Sequence, residues 1–203
     1  MPVATLSGVS KTRVEAFSDG VIAIVITVMV LELRPPHGTD LAALRPLLPV
    51  FLAYVLSFVN LGIYWNNHHH MLNAARHVDG AVLWANLHLL FWLSLFPFTT
   101  AWLGENHAVA VPTAAYGVVA LCAAIAYWVL QGRIIALEGP RSTLALAVGA
   151  DLKGRISPFV YAAGVGMAFV EPWVSIALYT AVALLWLVPD RRVERQLARG
   201  ERG

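Results

Sequence analysis

The sequence is short of charged residues and has a single cysteine. Of its 203 residues, 13% are Asp, Glu, Lys or Arg and 59% are hydrophobic. Soluble domains carry about 25% charged residues, so this composition excludes an ordinary soluble domain and predicts an integral membrane protein. Cys122 has no second cysteine to pair with, and we expect it to be a small packing residue. The first apolar run has no A-x-A cleavage site, so we expect it to remain as a helix.

The sequence also lacks the patterns of common enzymes. It has no HEXXH segment, no cysteine or carboxylate in metalloenzyme spacing with its histidines, and no nucleophile matched to a base. We therefore expect no enzyme activity, no resident cofactor and no bound metal. It shows no internal repeat and no attached soluble domain, so we expect one membrane domain over residues 1–190 and a basic tail over residues 191–203.

Six segments are apolar enough to be transmembrane helices. A helix crosses a bilayer with about 20 residues, and the last two segments are near the lower limit, forming a hairpin around Glu171-Pro172. The six predicted helices are Arg13–Leu33, about Pro46–Met71, about Asp79–Leu103, about Val109–Leu137, Ile156–Val170 and Trp173–Val188. The sequence thus predicts an all-α membrane protein with six transmembrane helices.

The basic residues predict the orientation. With the N-terminus inside, the inner segments hold twelve Lys and Arg residues and the outer segments hold two, Arg34 and Arg45. The positive-inside rule then places both termini in the cytoplasm, with the protein in the cell membrane. We expect the basic tail to set topology and contact anionic lipid rather than nucleic acid.

The first helix combines a polar beginning with a long apolar remainder. On a helical wheel, one stripe holds Arg13, Phe17, Gly20, Ile24, Thr27 and Leu31, with Val28 at its edge, while Ser18 and Asp19 point away. The stripe either packs against a neighbouring helix or lines a pore, where apolar rings could gate by dewetting. Periodicity alone does not choose between these interpretations.

The motif RVEAFSD at residues 13–19, followed by the apolar run GVIAIVITVMVLEL, resembles the signature of the transmembrane protein 175 family of potassium channels. The WNNHH segment at residues 65–69 and the region 86–102 extend the resemblance more weakly. The last three helices agree with the family in number and hydropathy only.

The resemblance implies a potassium-permeable cation channel, with potassium as the permeant ion and passive flux through a central pore lined by the first helix. For a chain with one six-helix repeat, it implies a homotetramer. The family's constriction rings fall on Ile24, Val28 and Leu31, and its threonine layer falls on Thr27. A longer Leu is often expected at the second ring, so Val28 would widen it. No TVGYG filter occurs in the chain, so we expect modest selectivity for potassium over sodium.

The same resemblance assigns the polar motif to helix contacts within and between subunits, and so to assembly or gating. The residues concerned are Arg13, Phe17, Ser18 and Asp19.

Three consecutive histidines end the second predicted helix, at positions 68–70. Consecutive positions spread around the helix, so at most two can face one site, and we expect a structural role rather than zinc binding. We predict that His68 or His69 hydrogen-bonds Asp19 or Arg13; a pH-responsive gate is a second possibility. Four asparagines are expected to form interhelical hydrogen bonds: Asn60, Asn66, Asn67 and Asn86.

Two alternatives to a channel stay open on the residues alone. One is a proton- or cation-coupled transporter, although such proteins usually show inverted repeats and broken helices at the midplane, and neither is visible in this sequence. The other is an intramembrane metal-binding protein that uses the histidine cluster.

Overall fold

A computed structural model of the chain describes residues 10–149 and 151–187, and every regular element in these ranges is helical. The α-helices are α1 (Lys11–Met29), α2 (Leu48–Ala74), α3 (Gly80–Ser94), α4 (Phe96–Glu105), α5 (Ala110–Glu138), α6 (Thr143–Val148), α7 (Leu152–Met167) and α8 (Pro172–Leu187). Two 3₁₀ segments, Val30–Glu32 and Leu41–Leu47, extend α1 and precede α2. The predicted basic tail at 191–203 lies outside the described residues.

Four helical segments are long and apolar enough to cross a membrane. They are Lys11–Glu32, Leu41–Ala74, Gly80–Glu105 and Ala110–Glu138. The helix α8 is apolar but shorter, with 16 residues, and α7 has the same length. The predicted all-helical, strongly apolar architecture is therefore confirmed. A helix overlaps each of the six predicted segments, but that all six cross the membrane stays a prediction.

The helix ends follow local chemistry that the apolar runs do not reveal. The third predicted helix is broken at Leu95 into α3 and α4, because Pro97 in the first turn of α4 has no backbone N–H to continue the helix. The fifth begins earlier than predicted, since the Asp151 carboxylate accepts from the Gly154 N–H at 3.0 Å and caps α7. The short helix α6 was not predicted; the Ser142 hydroxyl accepts from the Ala145 N–H at 3.2 Å at its start.

Helix α5 forms the centre of the bundle and packs against α3, α4, α7 and α8, while α1 packs against α2, α3 and α4. The largest fully buried side chains at the centre include Tyr116 and Tyr179. The Tyr179 ring lies over Gly117 of α5 and Gly164 of α7, where any side chain would collide with it. Glycine therefore permits the close approach of these helices around the ring.

One end of the bundle is fastened by Glu138, the last residue of α5. Its carboxylate accepts hydrogen bonds from the backbone N–H groups of Arg76 at 2.7 Å and His77 at 2.9 Å, in the loop between α2 and α3. At the same end, the Lys11 ammonium at the start of α1 donates to the Asn73 carbonyl near the end of α2 at 3.2 Å. The polar beginning of α1 therefore lies beside the α2–α3 connection.

Candidate functional site

The candidate site is built on α1, which has two different faces. Its buried face repeats at intervals of three and four residues, as an α-helix packed on one side requires. This face consists of Val14, Ser18, Ile22, Val25 and Met29. It packs against α2, α3 and α4 of the same chain.

The opposite face of α1, which we call the α1 stripe, is exposed along its whole length. It comprises Arg13, Phe17, Gly20, Ile24, Thr27 and Val28 of α1, together with Leu31 of the 3₁₀ segment that follows. Of the three predicted ring residues, Ile24 is 62% exposed, Val28 40% and Leu31 74%. No described part of the chain covers this stripe, so it is available to lipid, to water or to other copies of the chain.

Thr27 is the hydroxyl-bearing residue of the apolar part of the stripe. Its hydroxyl lies 3.0 Å from both the Ala23 and the Ile24 carbonyl oxygens of its own helix and donates its one hydrogen there. This back-bonding satisfies the donor locally. The oxygen lone pairs remain on the exposed side, where they can accept a hydrogen bond or contact a cation.

A buried chain of hydrogen bonds joins three helices at the polar end of α1. The Ser18 hydroxyl donates to the Val14 carbonyl at 2.8 Å and accepts from the Asn86 amide of α3 at 2.9 Å. The Asn86 oxygen lies 2.7 Å from His68 Nε2 of α2. Because an amide oxygen can only accept, His68 carries its hydrogen on Nε2 and donates it. Ser18, Asn86 and His68 are all buried, so the predicted helix contact of His68 is made through Asn86.

The carboxylate of Asp19 faces α2 and has a different partner. The Trp65 indole N–H donates to Asp19 Oδ1 at 3.0 Å, and the Trp65 ring stacks on His69 with ring centres 6.0 Å apart. His69 Nε2 in turn pairs with the Asn73 amide at 2.9 Å. Arg13 is exposed and has no hydrogen bond or ion pair to any residue that the structure describes.

The predicted hydrogen bond from His68 or His69 to Asp19 or Arg13 is therefore wrong. The sequence places these side chains at one level of the membrane, but successive residues of a helix point about 100° apart. His68 is turned toward α3 and buried, whereas Trp65, nearly one turn earlier, reaches Asp19. The WNNHH segment drew attention to Trp65, but no sequence pattern indicates which of its side chains meets the aspartate.

A second buried network ties α2 to α4 and α5. The hydroxyls of Ser57 and Thr100 lie 2.6 Å apart, and the Ser57 hydroxyl also lies 3.2 Å from the Tyr116 oxygen. The Asn60 amide donates to the same tyrosine oxygen at 3.1 Å. Of the four asparagines expected to join helices, Asn60 and Asn86 do so, while Asn67 donates to the Ile63 carbonyl of its own helix.

The histidine cluster does not form a metal centre in the described ranges, where no group of three or more His, Cys, Asp or Glu side chains could hold a metal ion. His68 and His69 have separate partners on α3 and α2, Asn86 and Asn73. His68 therefore joins two helices, whereas the partners of His69 lie on its own helix.

Comparison with known proteins gives consistent results over most of the chain. The family model described as "Endosomal/lysosomal potassium channel TMEM175" matches residues 13–97. A potassium channel of Chryseobacterium sp. (strain P1-3) is 50% identical over 188 residues, covering 93% of this chain and 98% of the relative. A potassium channel of Streptomyces collinus is 34% identical over 185 residues, covering 86% of this chain and 90% of the relative.

A solved structure has the same fold. The crystal structure of a lysosomal potassium-selective channel TMEM175 homolog from Chamaesiphon minutus superimposes with a TM-score of 0.77 at 28% identity, covering 88% of this chain and 96% of that one. The match therefore extends from α1 through the C-terminal helices that the shorter family model does not include.

Proposed function

The chain belongs to the TMEM175 family, and we propose on that basis that it forms a potassium-permeable channel of the cell membrane, with α1 from each of four copies around a central pore. Relatives named potassium channels cover nearly the whole chain. Flux would be passive, with potassium as the permeant ion. In this arrangement the four long helical segments and the shorter helices α7 and α8 all cross the membrane, and both termini face the cytoplasm, as the distribution of basic residues favours.

The observation that carries the proposal is the division of α1 into one buried and one exposed face. The buried face attaches α1 to α2, α3 and α4, so the helix is held firmly by its own subunit. The exposed α1 stripe then has a fixed direction, and a symmetric assembly would bring four such stripes together. Arg13 lies at one end of the stripe and the exposed Glu32 lies just beyond the other, so both ends can meet water.

The stripe has the dimensions of a hydrophobic constriction. Ile24 and Leu31 are seven residues apart, or about 10 Å along the helix axis. Rings of Ile24, Val28 and Leu31 would form an apolar section of that length, narrow enough in a closed state to exclude water. Thr27 would lie within this section and present its hydroxyl oxygens to a partly dehydrated cation.

The polar end of α1 would hold the helices in register. Ser18 and Asp19 are committed to α3 and α2 of the same subunit through Asn86 and Trp65. Arg13 and Phe17 are exposed on the stripe and would therefore make the contacts between subunits. We propose that the four motif residues are divided in this way, two within the subunit and two between subunits.

The first experiment measures potassium flux into liposomes that contain the purified protein, with sodium as the comparison ion. Wild type is compared with Ile24→Asn and with the matched control Ile125→Asn, because Ile125 is exposed on α5 and away from the stripe. We expect Ile24→Asn to hydrate the constriction and raise potassium flux several-fold, while the control behaves like wild type.

The same assay separates the proposal from its alternatives. Flux that requires a second ion gradient would indicate a coupled transporter instead of a channel. Equal flux from both Asn variants, in protein shown to be folded, would remove Ile24 from the pore.

A cross-linking experiment tests the assembly independently of flux. In a Cys122→Ala background the chain has no cysteine, so Ile24→Cys introduces the only thiol. Copies facing one axis should form disulfide-linked dimers under mild oxidation, and Ile125→Cys should not. Cross-linking at Ile125 without cross-linking at Ile24, or a monomer mass for the purified protein, would exclude a pore lined by α1.

A further inference from the structure

A cavity lies inside the subunit, on the far side of α2 from the α1 stripe. It is lined by residues of α2, α5, α7 and α8 and by Asp151, is partly open to the surroundings, and has a volume of about 40 Å³. On the same measure one water molecule needs about 10–15 Å³, so the space accepts a small chemical group. Its aromatic lining consists of Tyr64, Tyr127, Trp128, Tyr161 and Trp186.

One carboxylate, that of Asp151, lies on the wall of this cavity. The Gln131 amide of α5 donates to its Oδ2 at 2.9 Å, and the Gly154 backbone N–H donates to its Oδ1 at 3.0 Å. Both donors are neutral, so two hydrogen bonds from uncharged groups hold the carboxylate in place.

The backbone at Asp151 supports a specific role for this carboxylate. Its φ of 40° and ψ of 51° lie in the left-handed region, which few residues other than glycine adopt. Such conformations persist where the surrounding structure imposes them, and they cluster at functional positions. Here the conformation lets one side chain cap α7, bond to α5 and reach the cavity.

A hydroxyl without a partner also faces the cavity. Tyr161 of α7 is only 3% exposed, and its hydroxyl has no hydrogen bond to any described residue. Around it, Tyr127 contacts Tyr64 and Trp186 edge to face, with ring centres 6.1 and 6.4 Å apart. The hydroxyls of Tyr64 and Tyr127 likewise have no hydrogen bond to a described residue, so the lining offers ring faces, one carboxylate and three tyrosine hydroxyls.

From this combination we propose that the cavity binds a small organic ammonium group, such as that of choline or ethanolamine, either free or as a lipid headgroup. Aromatic rings attract such cations through their electron-rich faces, and the Asp151 carboxylate supplies the counter-charge. Five of the thirteen lining residues are aromatic, and Asp151 is the one charged residue among them, so the lining combines ring faces with a single counter-charge. The proposal concerns a site inside one subunit and does not depend on the pore.

The test measures the binding of organic ammonium compounds to the full chain in nanodiscs of phosphatidylglycerol. Tryptophan fluorescence reports the binding. The probes are tetramethylammonium, choline and ethanolamine, at constant potassium concentration. Asp151→Asn keeps a capping oxygen but removes the charge, and Tyr161→Phe keeps the ring but removes the hydroxyl. The matched control is Asp40→Asn, because Asp40 also caps a helical segment but does not line the cavity.

We expect saturable binding in wild type, at least tenfold weaker binding in Asp151→Asn, several-fold weaker binding in Tyr161→Phe and no change in Asp40→Asn. The proposal would be overturned if wild type showed no saturable binding or if Asp151→Asn bound the probes as tightly as wild type. It would also be overturned if potassium competed at the same concentration as tetramethylammonium.

Mass spectrometry of the protein released from phosphatidylethanolamine nanodiscs identifies the natural source. Retention of an amine-headgroup lipid that is lost in Asp151→Asn indicates a lipid ligand, and binding of free choline or ethanolamine alone indicates a soluble one.

Discussion

Replacing Asn86 with alanine should destabilise the fold, because this amide is the central member of the chain between Ser18 and His68. The substitution removes two interhelical hydrogen bonds, each worth about 0.6 kcal/mol and up to about 1.7 kcal/mol in membrane proteins. It also leaves the buried His68 N–H without an acceptor. We expect the free energy of unfolding to fall by about 1–3 kcal/mol, which lowers Tm by about 2–12 °C for a chain of this size.

The measurement is thermal unfolding of the purified protein in detergent. Asn66→Ala is the matched control, because Asn66 is exposed on α2, and its loss should change stability by less than about 0.5 kcal/mol. If Asn86→Ala unfolds at the wild-type temperature, the buried network contributes nothing and the reasoning is refuted. If Asn66→Ala lowered the free energy of unfolding more than Asn86→Ala, the assignment of Asn86 as buried and Asn66 as exposed would be wrong.

Two further substitutions test the core and the motif. Gly117→Ala should lower Tm strongly or prevent folding, because its methyl group would collide with the Tyr179 ring. Gly132→Ala, on the same helix, is the control, because its methyl group would meet open space. Equal Tm values for the two variants would contradict this packing. Trp65→Phe keeps a ring beside His69 but removes the donor to Asp19, so we expect Tm to fall by only a few degrees while potassium flux changes; flux identical to wild type would exclude this bond from gating.

The helices could be predicted from the sequence because long apolar runs in a membrane protein have few other stable structures. Their interruptions were harder to predict. The break at Leu95 lies inside a continuous apolar run, where only Pro97 indicates it, and proline is common enough in membrane helices that its presence does not require a break. The start of α7 depends on the Asp151 cap, which only the folded geometry makes visible.

The partners of polar side chains were the least predictable feature of the site. Sequence patterns place a residue at a depth in the membrane and on one face of its own helix. They do not show how the neighbouring helix is rotated about its axis, and so which of its side chains the residue meets. Asn86 and Asn60 were therefore recognised as residues that join helices, while the pairing of Trp65 with Asp19 was missed. The network around Tyr116 and the cavity at Asp151 depend on three or four helices at once, and no single segment carries a pattern for them.

The composition of the α1 stripe also has a consequence for biogenesis. Its central side chains are aliphatic, so a newly inserted subunit can expose them to lipid tails at little cost before it meets another copy. Folding and assembly can then occur as successive steps, and a pool of folded, unassembled subunits can exist in the bilayer. Because hydrocarbon and the stripe are similarly apolar, the stripe itself supplies little drive for association. The rate and extent of assembly should therefore depend on subunit density in the membrane and on the polar ends of α1.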